Sequence, residues 1–436
     1  MVQPRVLPRA EHLISRKNIS GQALKVLYRL HGSGFTAYLV GGSVRDLLLG
    51  RRPKDFDVGT NARPNEIRRA FSNSRIIGRR FRLVHVFFQD GEIVEVSTFR
   101  RDPRPEDQEG IPGDFLITSD NTYGTPREDA FRRDFTINAL FYDISDFSVI
   151  DYVGGIEDLE RRLVRTIGDP EVRMREDPVR MLRACEFAGR LGFSIEAKTQ
   201  EAIHRHRKEL AKASPARMTE EIVQLFRCGH AGAATQWLLE LGLLEVVLPE
   251  AYAMVSAGER GLGDFGQILP SIDRMVAEGR KLSDTGVLAA ILLPQVLLRR
   301  YDIEALDQRP MHRAALDRMI EETVAPFIAR FTLSNLKSQQ VIAALMGFQR
   351  LCDAGWTAAE RLKLARRPGF ADALFLFEIL VSATGQGAER LELWRTAGAR
   401  ARAGEVAVED EPEAKKRPRR RRRRPPRSAA GVSPSL

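Results

Sequence analysis

The chain predicts an α/β domain built on a small mixed sheet, then an all-helical neck and body, and a disordered basic tail. Three observations carry this. Strand-like runs alternate with helical stretches between residues 37 and 168. After Asp169-Pro170 apolar residues recur at helical spacing throughout. The chain closes on a Pro/Arg tract that cannot bury apolar surface. With 436 residues, two or three domains and a sizeable core are expected. The divisions are a helical lead (1–36), the α/β head (37–168), a helical neck (169–260), a helical body (261–405) and the tail (406–436).

The lead is polar and then amphipathic, with Ala23, Leu24, Leu27, Tyr28 and Leu30 on one helical stripe. In the head, Ala37–Val40, Phe56–Gly59, Leu83–Phe88, Ile93–Phe99 and Val149–Tyr152 read as strands, and Asn65–Phe71 as a helix. Residues 100–128 are rich in Pro, Gly and charge, which predicts a long mobile loop. Beyond it, Glu171–Leu191, Ala197–Leu210, Ala216–Phe226, Ala233–Leu241 and several segments between Gln267 and Leu393 show the 3.6-residue period. His204 and His206 stand at i, i+2 on a helix and read as surface.

Charge is distributed unevenly. Lys415, Lys416, Arg417, Arg419, Arg420, Arg421, Arg422, Arg423, Arg424 and Arg427 are ten of the 68 basic residues. Without them 58 basic residues face 58 acidic ones, so the whole +10 excess sits in the tail. A nucleic-acid backbone is the expected partner of such a tail, which adds affinity but selects no sequence. No apolar run reaches membrane-spanning length, and no signal-peptide pattern opens the chain. Cys185, Cys228 and Cys352 form neither a disulfide framework nor a zinc motif, so a reducing, cytoplasmic setting is expected.

The chemistry concentrates in a few short stretches. Gly41-Gly42 follows a buried strand and lets backbone N–H groups approach a phosphate, with Arg45 in the next turn. Thirteen residues after Gly42, Asp55 and Asp57 flank Phe56; on a strand both carboxylates share a face, where they repel unless a divalent cation lies between them. Mg2+ or Mn2+ is the expected cofactor, with Asp55 and Asp57 as its ligands. Turn chemistry is the bland alternative for both stretches. Glu95 and Asp134 are the candidates for a third catalytic acid; Glu95 lies among β-branched residues, where an acid needs a metal or a partner such as Arg100. Arg132 and Arg133 suit a triphosphate clamp, and Asp134 suits a helix N-cap before Phe135. Asp177-Pro178 reads as a helix start that brings Arg180 onto the face of Glu176 and Asp177.

The stretch GGSVRDLLLGRRPKDFDVGT resembles the signature of the nucleotidyltransferases that extend RNA 3′ ends without a nucleic-acid template, the family of bacterial poly(A) polymerases and CCA-adding enzymes. RRDFTINAL and REDPVRMLRA extend that resemblance through most of the first 250 residues. It implies a nucleotidyltransferase head and an active-site role for Asp134. It also implies that Glu176, Asp177 and Arg180 bond the Watson–Crick edge of the incoming base, with Arg183 reaching toward the nucleotide. Cys185-Glu186-Phe187 departs from the family, which commonly has a basic residue before this phenylalanine. The Gly78–Val86 segment resembles the poly(A) polymerase branch, which implies ATP as substrate, RNA 3′ ends as acceptor, and RNA contacts from Arg79 and Arg80. His85 in that segment fits either a phosphate contact or an ordinary strand histidine. No His-Asp dipeptide occurs, which speaks against an appended metal-dependent phosphohydrolase domain. The resulting expectation is adenylation of RNA; CCA addition to tRNA and a non-catalytic RNA-binding role are the alternatives.

Overall fold

The computed structural model describes residues 3–78, 82–101, 122–256 and 265–405. Arg79 and Arg80, most of the expected loop, and the tail with its ten cations lie outside those residues.

The head is an eight-stranded mixed sheet. In chain order its strands are β1 (Arg5–Leu7), β2 (Ala37–Val40), β3 (Asp57–Thr60), β4 (Ser74–Ile77), β5 (Leu83–Phe87), β6 (Ile93–Thr98), β7 (Leu140–Asp143) and β8 (Val149–Asp151), laid out as β1-β8-β7-β2-β3-β6-β5-β4. Only β3 and β6 run parallel; every other neighbouring pair is antiparallel. The alternation that defines a strand is visible on β5 and β6: Val84, Val86, Val94 and Val96 are buried on one face, and His85 and Glu95 stand on the other. Central β3 is buried at Val58, Gly59 and Thr60. A Cβ on Gly59 would lie 2.7 Å from the Phe99 ring, so only glycine lets that ring close over the sheet. The helix Gly21–Gly32 begins at Ser20, whose hydroxyl accepts from the Ala23 N–H at 3.0 Å, and buries Ala23, Val26, Leu27 and Leu30.

Several expectations change. The lead is not only helical, because β1 adds an edge strand to the head through β8. The Asp-Phe-Asp stretch is not one strand: β3 starts at Asp57, and Asp55 sits in the loop before it. The expected loop 100–128 is shorter at both ends, with Arg100 bridged to Tyr123 and a helix running Pro126–Arg132 from its Thr125 cap. Phe135 opens no α-helix; a single 3-10 turn, Thr136–Asn138, precedes the buried β7.

The neck follows through a short parallel pair, Leu163–Val164 with Ser194–Ile195. The run expected as one helix, 171–191, is two, Pro170–Glu176 and Arg180–Leu191. Pro178 has no N–H to donate and disfavours the helical region for its predecessor, so Asp177 (φ −147°) closes the first helix instead of capping the second. Helices Ala197–His206, Pro215–Arg227 and Ala231–Glu240 complete it. His206 is not a free surface residue, since its Nε2 lies 2.7 Å from Glu171. The body packs Phe265–Ala277, Asp284–Asp307, Arg313–Phe331, Asn335–Cys352, Phe370–Thr384 and Ala388–Arg402 around Phe327, Phe331, Phe348 and Trp394. Among the described residues no helix is long and apolar enough to cross a membrane.

Candidate active site

Head and neck together line a cleft of about 460 Å³. The head contributes the Gly41-Gly42 turn, the loop carrying Asp55 into β3, and the 132–138 segment; the neck contributes Asp177, Arg180, Arg183 and Arg217. Eleven of the thirteen expected catalytic and nucleotide-binding residues therefore meet in one place. Glu176 and Glu95 do not line it.

The acid end is electrostatically unbalanced. Burial, reinforced by the Glu95 charge, pushes the Asp57 carboxyl up to about 6, with Asp55 adding to the repulsion and Arg133 opposing it. A carboxyl raised by neighbouring carboxyls is one that a divalent cation would discharge, so the donors fit the expected Mg2+ or Mn2+. Among the described residues no group of three or more His, Cys, Asp or Glu side chains could enclose an ion unaided. Water and a triphosphate would complete the shell, which suits Mg2+. Glu95 lies beside Asp57 in the parallel β3–β6 register. Its partner is His85 (3.3 Å) rather than Arg100, and it is half-exposed because its valine neighbours face the other way.

Asp134 stands in a different environment from Asp55 and Asp57. Both its oxygens are engaged: Oδ1 accepts from the Phe135 N–H (2.8 Å) and the Asn138 amide (3.1 Å), and Oδ2 accepts from Arg183 at 2.8 and 2.7 Å. Burial would raise this carboxyl, but the Arg183 charge and these hydrogen bonds outweigh burial and hold it down to about 2. It joins head to neck.

Arg45 is buried at 2 % exposure, and burial lowers its pKa. Nε donates to Asp46 at 2.8 Å and Nη1 to the Asn138 side chain, so it is a fixed post in the cleft wall. Gly41 has φ 72°, and its N–H is taken by the Leu140 carbonyl (3.1 Å). A Cβ there would meet Arg133 Nη1 at 2.9 Å. What Gly41 supplies is room for Arg133, leaving Gly42 and Ser43 as the N–H groups of this turn for a phosphate. Arg133 is aimed by Asp129 (3.1 and 3.2 Å) and the Asn138 carbonyl (3.2 Å). Buried Arg173 fixes the backbone of that clamp by donating to the carbonyls of Arg132 (2.7 Å) and Arg133 (3.1 Å).

Of the three expected base readers, Asp177 and Arg180 face the cleft. Arg217 holds Asp177 as a bidentate pair at 2.5 and 2.9 Å. Glu176 instead binds Arg173 (2.7 Å) and approaches Arg180 (3.6 Å), so it orients the reader. Burial and the nearby Arg173 charge lower Arg180 to about 10, so it stays protonated at neutral pH.

Sequence reasoning missed Asn138, Arg173, Arg217 and the meaning of Phe187. Three guanidiniums surround the Phe187 ring, those of Arg45 and Arg183 at 5.2 Å and Arg190 at 5.3 Å. The family-atypical Glu186 beside it is buried and pairs with Arg190 at 3.1 Å. Asn138 does carry a local signal, because an amide inside an arginine-aspartate motif can bond both charges; nothing local marks Arg217, forty residues from its partner.

Residues 37–165 match the model of the Poly A polymerase head domain, and residues 192–254 match the probable RNA and SrmB-binding site of polymerase A. Poly(A) polymerase I of Salmonella typhi is 46 % identical over 297 residues, covering 66 % of this chain and 63 % of that protein. Poly(A) polymerase I of Escherichia coli O6:H1 is 50 % identical over 253 residues, 57 % of this chain and 54 % of that protein. The chain thus spans less than two thirds of the length of these curated relatives. Among solved structures, the Bacillus stearothermophilus CCA-adding enzyme in complex with CTP matches with a TM-score of 0.60 and 28 % identity, over 86 % of this chain and 81 % of that one.

Proposed function

We propose that the chain is a polynucleotide adenylyltransferase of the tRNA nucleotidyltransferase/poly(A) polymerase family, which the matched head and RNA-binding regions and the poly(A) polymerase I relatives support: it transfers AMP from ATP to the 3′-hydroxyl of RNA and releases pyrophosphate. The observation that carries the reading is the single cleft that joins Asp55 and Asp57 to Asp177 and Arg180. A carboxylate acceptor beside a guanidinium donor complements an exocyclic amine beside a ring-nitrogen acceptor. Adenine and cytosine present that edge; uracil and guanine present the reverse. Discrimination of A from C then falls to the cleft dimensions that Arg217 sets through Asp177.

Arg133, backed by Asp129, and the Gly42-Ser43 turn hold the triphosphate, and Arg183 keeps neck and head closed on it through Asp134. A divalent cation at Asp55 and Asp57, when bound, neutralises the triphosphate and eases deprotonation of the attacking hydroxyl. The protein's contribution is orientation and charge placement. Mixing the protein with Mg2+, a generic RNA and each NTP singly should give long extension with ATP alone. Addition of C and A to tRNA followed by a stop would instead support the CCA-adding reading, which the 38 % identity to the Bacillus pumilus CCA-adding enzyme over 51 % of the chain keeps in view. No incorporation sinks both and leaves the non-catalytic RNA-binding role.

Asp57 sets a pH dependence. Its carboxyl must be ionised to accept a cation, and in the metal-free chain it titrates at about 6. Mg2+ affinity, followed by calorimetry, should be flat above about pH 7 and fall roughly tenfold per unit below pH 6. A midpoint in the ordinary carboxylate range near 4 would overturn the assignment of Asp57 as a crowded ligand.

A further inference from the structure

A second cleft, of about 630 Å³, opens directly off the catalytic one, and four residues, Asp46, Lys54, Arg190 and Gln224, line both. Head, neck and body all contribute to its walls: Arg51 and Arg52 from the head, Arg227 from the neck, Arg280 and Lys281 from the start of the body. Among the described residues its only lining acids are Asp46 and Glu186, and each is already committed, to Arg45 and Arg190 respectively. Arg227 and Arg280 are balanced by Asp284 and Glu378 behind the wall. Arg51, Arg52 and Lys281 are exposed, and among the described residues none of them is paired with an acid. Arg51 reaches only backbone carbonyls, those of Arg190 (3.3 Å) and Leu191 (3.4 Å), which places its charge at the groove without cancelling it.

Outside its tail the chain is formally neutral, yet among the described residues uncancelled positive charge has gathered on a groove that shares four lining residues with the cleft of the acid pair. Repulsion among cations at this density is relieved by a polyanion. We infer that this groove is the track for the single-stranded RNA acceptor, binding the phosphates just upstream of the 3′ nucleotide through Arg51, Arg52 and Lys281. A strand whose terminal hydroxyl reaches Asp55 and Asp57 passes the shared wall at Lys54 and Arg190 and has its preceding phosphates in the groove. These side chains meet phosphate alone, so the track accepts any sequence, as repeated addition to a growing end requires. The track extends the RNA-binding surface onto the head and body, outside the matched 192–254 region. This inference rests on the adenylyltransferase reading for which 3′ end is held, although RNA binding by the groove is measurable without catalysis.

The test is binding of a short fluorescent oligoadenylate to the full chain across a salt series, with ATP omitted, beside extension kinetics. Arg51→Gln/Arg52→Gln/Lys281→Gln should weaken RNA binding roughly tenfold or more and flatten the log-log salt slope by about 2, at about 0.7 for each phosphate no longer neutralised. The KM for ATP and kcat at saturating RNA should hold. Arg52→Gln/Lys281→Gln, which breaks no hydrogen bond among the described residues, should weaken binding less but in the same way and guards against misfolding of the triple variant. Lys363→Gln/Arg366→Gln/Arg367→Gln removes three exposed cations that line neither cleft, and should bind RNA like the wild type. Unchanged RNA binding in the groove variants, or equal weakening in this control, overturns the track. If the wild type extends no RNA yet the groove variants still bind it more weakly, the track stands and the adenylyltransferase reading falls.

Discussion

Replacing Asp57 by asparagine is expected to abolish AMP incorporation while making the metal-free chain more stable. The two effects share one cause. In the fold, burial and the neighbouring Glu95 and Asp55 charges push this carboxyl up to about 6. Its ionised form is therefore disfavoured by folding above pH 6, and that cost disappears as pH falls toward the ordinary value of 3.8. Asparagine keeps the shape and removes the charge, so in EDTA at neutral pH the melting midpoint should rise by roughly 2–4 °C. The same change takes away an anionic cation ligand, and incorporation with saturating Mg2+ and ATP should fall by about a thousandfold or more, equivalent to several kcal/mol of transition-state stabilisation. Binding of the RNA oligomer, which depends on the basic groove and not on this carboxyl, should be nearly unchanged. Appreciable activity in Asp57→Asn would show that the metal assignment is wrong. A lowered melting midpoint would show that the charge is already compensated within the protein.

Much of this site is legible in the sequence because its parts are local. Gly41-Gly42, Asp55/Asp57, Arg132/Arg133/Asp134 and Asp177/Arg180 each announce a chemistry within a few residues, and all of them line one cleft. What the sequence conceals is pairing across distance. Glu95 looks strained in a one-dimensional reading among valines, yet strand alternation turns it to the opposite face, toward His85. Asp134 reads as a cap or a metal acid, and only the fold brings Arg183 onto it from the neck. The same holds for element boundaries. Pro178 is visible in the sequence, but its capacity both to end one helix and to free Asp177 for Arg217 emerges only once the two neck helices are seen apart. β1 and β4 carry weak strand signals of their own, and are strands because β8 and β5 offer them edges.

Asp134→Ala is expected to have the largest effect on stability of any single change in the cleft. It leaves Arg183 charged and only about two thirds enclosed, with Glu221 at 3.5 Å and the Glu186 charge as its remaining anionic neighbours. Breaking one side of this pair costs about 1–3 kcal/mol, less than for a fully buried pair because Arg183 keeps part of its side chain in water. The Asn138 amide and the Phe135 N–H lose their acceptor as well, and Asn138 shares with Asp46 and Asp129 in holding Arg45 and Arg133 in place. Denaturant midpoints should therefore drop sharply, and ATP affinity should drop with them. Asp134→Ala/Arg183→Met removes both charges together, so it should recover most of the lost stability, while activity stays low because the head–neck tie and the neck arginine are both gone. The pH dependence carries its own sign. Asp134 is depressed to about 2, so its contribution is complete above the ordinary value of 3.8 and is lost as pH falls from there toward 2. Wild-type unfolding followed at the neck should steepen in that window, and the double variant should lack that limb. A double variant no more stable than Asp134→Ala would show that the hydrogen bonds to Asn138 and Phe135, and not the ion pair, join head to neck.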